Sequence, residues 1–159
     1  MDRIRELELA SFACWPALEE KQERGWLLRF GGGHTKRCNS ANPLQPGKTD
    51  PDALVDHVEA EYRSRGLTPI FRLTPLADPD RYDALLDRRG YRLVEPSRVL
   101  VLEDLAMLPR PGVPAGLVLR LDDGPSAAWN AANGQLRPCP ADQVAARDAI
   151  LRSIAVSLY

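Results

Sequence analysis

The chain has 159 residues, 44% of them hydrophobic and 27% charged, a balance that supports one well-filled core and the ordinary globular class rather than a disordered chain. Its formal net charge of -1 supplies no global attraction to nucleic acid or to an anionic membrane, so neither is expected as a partner. No apolar run reaches the roughly 20 residues that cross a bilayer, and the charges of Met1 to Leu9 interrupt the apolar stretch a signal peptide needs; a cytoplasmic protein is expected. Cys14, Cys38 and Cys139 are odd in number and far apart, which points to reduced thiols rather than to disulfides or a metal site.

In chain order, Ile4, Leu7, Ser11 and Cys14 share one helical face, which predicts an amphipathic first helix ending near Trp15 and Pro16. Ala17 to Arg24 is rich in helix formers and stops at Gly25, which predicts a second helix. Gly25 to Leu44, GWLLRFGGGHTKRCNSANPL, then reads as a hairpin. Trp26, Leu28 and Phe30 alternate with Leu27 and Arg29, the period of two of a strand with two distinct faces. Gly31 to Gly33 supplies the reversal, and Thr35 to Ala41 the partner strand. Its row of polar side chains, with Arg29, Arg37, Asn39 and Ser40 as the candidate binding residues, is unusual for a central strand. Such a row needs partners: either a cleft with a ligand or an internal hydrogen-bond network.

Asp50-Pro51-Asp52 gives an N-cap, a proline in the first turn and an acid for the helix dipole. Leu54, Val55, Val58 and Tyr62 form that helix's apolar stripe, Gly66 ends it, and Pro69 to Thr74 reads as a short strand. Asp78-Pro79-Asp80 opens another helix with Tyr82, Leu85 and Leu86 inward, Gly90 closes it, and Tyr91 to Glu103 carries strand-like runs. Two helix-strand units with the same punctuation predict an α/β (α+β) layered domain, a sheet covered by helices. Residues 105–116 hold three prolines and two glycines without periodicity and read as a linker. Beyond it, Leu117 to Leu121 is a predicted strand, Ser126 to Asn133 a helix around Trp129, and Asp142 to Val156 a longer helix. This tail is too short to bury its own apolar face; it packs on the first domain, packs on another chain, or begins an incomplete second one.

Gly47-Lys48-Thr49 sits where a phosphate-binding loop would, but Asn42 stands at the required first glycine, and Pro43 and Pro46 remove amide donors. Gly31 to His34 admits two readings, a nest of amides for an anion or a tight turn. His34 and His57 have no partner at zinc spacing, and no metal is expected. Cys38 lacks a paired base and reads as an inert strand residue.

WPALEE at Trp15 to Glu20, the Gly25 to Leu44 stretch, and ALLDRRGYRLVEPSRVLVLED at Ala84 to Asp104 resemble the GNAT (Gcn5-related) N-acetyltransferase superfamily, most closely bacterial members with two GNAT-like lobes in tandem. The resemblance implies a mixed, mostly antiparallel sheet and transfer of an acetyl group from acetyl-CoA to a small-molecule or peptide amine. It also implies a coenzyme loop of the pattern R/Q-x-x-G-x-G/A opening the central helix, where amides hold the pyrophosphate. The matching positions here run from Gln45 to Asp50. Gln45, Gly47 and Lys48 are the candidate coenzyme contacts, while Pro46 and Asp50 depart from the pattern, and Leu86 stands where many members place a proton-donating tyrosine.

The reading is therefore of a degenerate lobe at 1–104, a Pro/Gly linker at 105–116, and the first strand and helices of an incomplete second lobe at 117–159. On this reading the chain has no catalytic residues of its own. Acetyl-CoA binds elsewhere, and the partner is a missing C-terminal lobe or a second copy in a homodimer. The alternative is a stand-alone binding module with this fold and no catalysis.

Overall fold

The computed structural model describes residues 2–46, 49–108, 112–119 and 124–154. Its centre is β2 (Trp26–Phe30), in which every residue is buried. β1 (Glu19–Glu23) and β3 (Ala41–Pro43) flank it, both antiparallel, in the order β1-β2-β3. Alternation along β2 does what the sequence predicts. Trp26, Leu28 and Phe30 turn to one face and pack with Leu54, Val58, Tyr62 and Tyr82, while Leu27 meets Phe12 and Leu44 on the other. Helix α1 (Asp2–Cys14) thereby covers one face, through Phe12, and α2 (Pro51–Ser64) the other. The α/β layered fold is as expected. Each fully buried large aliphatic or aromatic side chain contributes about 1.5–3 kcal/mol, and Trp26 adds oriented contacts, with its ring 5.1 Å from Tyr82 and edge-on to Phe71 at 6.1 Å.

The helix predicted at Ala17 to Arg24 is instead the strand β1. Glu23 pairs with Trp26, so Arg24 and Gly25 form a two-residue hairpin loop, both with positive φ (53° and 84°). That is the backbone a tight hairpin requires, and it is why Gly25 ends the segment. Helix propensity lost to tertiary pairing: β1 alternates Glu19, Lys21 and Glu23 on the side that meets α2, where Arg65 and Glu61 face them at hydrogen-bond distance and His57 contacts Glu23. The second arm of the predicted hairpin also differs. Residues 36–38 form a short 3-10 turn, and the strand itself is only Ala41–Pro43.

Asp50 and Asp78 cap α2 and α3 (Pro79–Arg88), accepting hydrogen bonds from the amides of Ala53 and Arg81. Leu85 and Leu86 of α3 close on Val55 of α2. The strand predicted at Pro69 to Thr74 shrinks to one parallel bridge between Ala41 and Phe71, held by Ala41 N to Ile70 O (2.8 Å) and Arg72 N to Ala41 O (2.9 Å). Tyr91 to Glu103 forms no ladder with any described residue.

Past residue 104 come α4 (Ala127–Leu136), capped by Ser126, and α5 (Val144–Ser153). The strand predicted at Leu117 to Leu121 is not formed over 117–119, and its last two residues lie outside the described ones. Ile150 and Leu151 of α5 are buried. Ala146 lies so near Gly32 that a Cβ added to that glycine would stand 2.9 Å from the alanine's own Cβ. The α5 helix therefore rests on the glycine loop of the first 104 residues. No helix among the described residues is long and apolar enough to cross a membrane.

Candidate functional site: the glycine loop and its polar row

Arg29 points from β2 to the α1 side and is 0% exposed. Its guanidinium lies 4.5 Å over the Phe12 ring. Nε donates to Glu20 at 2.8 Å, one terminal nitrogen to the Arg37 carbonyl at 2.9 Å, and the other to the carbonyls of Phe12 (3.3 Å) and Trp15 (2.7 Å). The last two are carbonyls at the end of α1, where a cation meets both unpaired acceptors and the negative end of the helix dipole. One side chain thus fastens helix, sheet and loop. The Arg29 backbone is held in turn by the Tyr62 hydroxyl, which donates to its carbonyl at 2.9 Å; burial raises the pKa of that phenol above its ordinary value.

Asn39 organises the loop itself. Its Oδ1 accepts from the amides of Gly31 (2.9 Å) and Gly33 (3.1 Å), and its Nδ2 donates to the carbonyls of His34 (3.0 Å) and Thr35 (2.8 Å). Of the two readings of this loop, the tight turn is the one realised. The Gly31 and Gly33 amides that would have cradled an anion already hold a side-chain oxygen of the same chain. Ser40 donates to Asn42 Oδ1, and Asn42 Nδ2 donates to the carbonyls of Leu27 and Ser40. Thr35 adopts φ 58°, ψ 142°, a region costly for a β-branched residue. It is kept there by Asn39 and by Trp15 Nε1, which donates to its hydroxyl at 3.1 Å. Cys38 is fully buried, and desolvation raises its thiol pKa, so it stays protonated and unreactive.

Of the four candidate binding residues, then, Arg29, Asn39 and Ser40 are buried in an internal network, while Arg37 lends the network its carbonyl and leaves its own side chain exposed. Beside them lies a cleft of about 390 Å³ lined by the loop (Gly32, Gly33, Thr35, Lys36), by Gly66, Leu67, Thr68 and Ile70, and by Asp142 and Gln143. The last two precede α5, and nothing in their local sequence marks them as cleft residues. His34 sits at the same junction. Burial lowers its pKa, the Arg147 charge lowers it further, and a hydrogen bond with Gln143 partly opposes both.

At the two described ends of the candidate coenzyme loop, backbone amides are already paired. The amides of Leu44 and Gln45 both donate to the Gly25 carbonyl, at 2.9 and 3.3 Å, and Asp50 occupies the amide of Ala53 at the start of α2. Gly47 and Lys48 lie outside the described residues. Leu86 is buried against Val55 and Leu85.

Glu23, His57 and Glu61 bring three potential metal-ligand atoms within 4.8 Å of one another. His57 and Glu61 are one helical turn apart on α2, a spacing that places both on one face. The two carboxylates are already balanced by cations, since Lys21 Nζ lies 2.8 Å from Glu23 and 2.9 Å from Glu61, and Arg65 lies 2.9 Å from Glu61. Hydrogen bonding to Lys21 holds both carboxyls below their ordinary pKa range, with His57 and Arg65 respectively adding to the shift.

Comparison with known proteins gives this geometry a family. A region of 112 residues is 38% identical to the probable histone acetyltransferase Rv0428c of Mycobacterium tuberculosis, covering 64% of this chain and 35% of the relative. A region of 131 residues is 30% identical to the uncharacterized N-acetyltransferase YobR of Bacillus subtilis, covering 81% of this chain and 51% of the relative. The chain thus spans about a third to a half of the length of these curated relatives. No solved structure matches. Residues 2–152 match the family model described as "Probable histone acetyltransferase Rv0428c C-terminal", and the chain belongs to that acetyltransferase-related family.

Proposed function

We propose that this chain is the non-catalytic, supporting lobe of a GNAT-type acetyltransferase that moves an acetyl group from acetyl-CoA to an amine. The observation that carries the reading is the state of the α2 N-terminus. A pyrophosphate at a helix start needs free amides and a positive field. Here Asp50 fills the Ala53 amide and brings a negative charge, and the Leu44 and Gln45 amides serve the Gly25 carbonyl. Leu86, buried where a proton donor would stand, has no acid function. The lobe's contribution to a complete enzyme is a rigid wall: the network of Arg29, Asn39 and Ser40 fixes the loop, and Arg37 and the adjoining cleft face outward toward an acceptor.

Calorimetric titration of the chain with acetyl-CoA tests this. Silence in the heat signal and an unchanged melting temperature are expected; saturable binding at micromolar concentration, lost on altering Gln45 or Asp50, overturns it. A second reading, an interaction module without catalysis, is favoured by the aliphatic residues exposed between Leu93 and Leu102. It predicts a stable complex in place of enzyme activity.

A further inference from the structure

Where β1 meets α2, the fold completes a donor set that the sequence keeps apart. Glu23 ends β1, and His57 stands 34 residues later, one turn before Glu61 on α2. One imidazole nitrogen and two carboxylate oxygens thereby come within 4.8 Å of one another. A tetrahedral divalent ion, with bonds of about 2.0–2.2 Å, holds its ligand atoms about 3.4 Å apart. Side-chain rotation closes that difference, because the backbones are already fixed: β1 by its ladder with β2, and α2 by Leu54, Val58 and Tyr62 in the core. All three side chains are only part-buried, which leaves an ion a route from solvent. The position already attracts a cation. Lys21 Nζ bridges the two carboxylates, 2.8 Å from Glu23 and 2.9 Å from Glu61, while its side chain stays 38% exposed and has room to swing into water.

We propose that Glu23, His57 and Glu61 form a site for a divalent transition-metal ion, Zn2+ foremost, which displaces the Lys21 ammonium and braces β1 against α2. Two carboxylates offset both charges of the ion. The imidazole selects zinc and its neighbours over Mg2+ and Ca2+, which take oxygen ligands, and water supplies the fourth position. Arg65 keeps a partner when Glu61 turns to the metal, since Glu19 lies 2.6 Å from it. The proposal stands independently of whether the lobe binds acetyl-CoA.

Calorimetric titration of the reduced full chain with zinc chloride, alongside thermal unfolding with and without the ion, tests this. The expected result is a single site of micromolar affinity and a raised Tm. His57→Gln keeps a hydrogen-bonding group beside Glu23 but removes the nitrogen ligand, so it weakens binding by about tenfold or more. Lys21→Met removes the competing cation and tightens binding about tenfold. A purely structural ion-pair network gives the opposite sign, because losing Lys21 only weakens it. Absence of binding overturns the proposal. So does zinc held equally well by His57→Gln, which places the ion on the thiols, or binding that Lys21→Met leaves unchanged or weaker.

Discussion

Asn39 and Arg29 show how much of this molecule depends on single polar side chains. Asn39 satisfies two donors and two acceptors of the glycine loop at once. Asn39→Ala should therefore lower the unfolding free energy by about 2–3 kcal/mol in urea titration, the cost of stranding buried backbone groups. Removing Arg29 strands the carbonyls of Phe12, Trp15 and Arg37 along with Glu20, and Arg29→Ala should cost about 3–5 kcal/mol. Lysine should not rescue it, because a point ammonium cannot serve four acceptors arranged around a planar fork. The sequence disclosed that this row was polar and out of place on a strand. It did not disclose that the ligands of the row were the chain's own carbonyls, since those lie at the end of α1 and inside the loop.

His34 adds a pH dependence. Its folded pKa is below the ordinary 6.5, so the unfolded chain takes up a proton first on acidification. The stability it contributes is complete above pH 6.5 and is lost as pH falls through the depressed value. Equilibrium unfolding of His34→Gln should show a flatter profile over that interval. The carboxyls of Glu23 and Glu61, also depressed, contribute stability above their ordinary 4.5 and lose it in a lower, separate window.

Among the elements, those announced by local chemistry were legible. Asp-Pro-Asp at residues 50–52 and 78–80 fixes the starts of two helices through a side-chain cap and a pre-set proline φ. The period-two pattern of Trp26 to Phe30 marks the central strand. The sequence of β1 reads as a helix because Glu, Lys and Gln favour one in isolation. Only the charged row of α2, some forty residues on, makes a strand the better answer. α5 rests on a glycine in the left-handed region, Gly32 at φ 59°. Gly32→Ala meets both an unfavourable backbone and Ala146, so α5 should lift from the loop. Hydrogen exchange should register this as faster exchange at 144–153 with little change in α2.

At the scale of the whole molecule, the sheet is enclosed by α1 and α2, whereas Leu93 to Leu102 is left bare. Both follow from the same distribution of apolar residues. The first ninety residues contain enough facing aliphatics and aromatics to close a core, and of the later aliphatics Ile150 and Leu151 are buried while those of 93–102 are not. These exposed side chains should bind bis-ANS in the native state and raise its fluorescence well above that of a protein with a fully covered core.

β1 bears on how the molecule behaves at high concentration. Its outward border is a row of glutamates, a lysine and a glutamine, each already bound to its own helix or exposed to water. A foreign strand laid there would have to strip ions from their counterions and return little apolar contact. One border of the sheet is thereby closed to newcomers, so concentrated solutions should stay clear where a molecule with a bare apolar border would fibrillate.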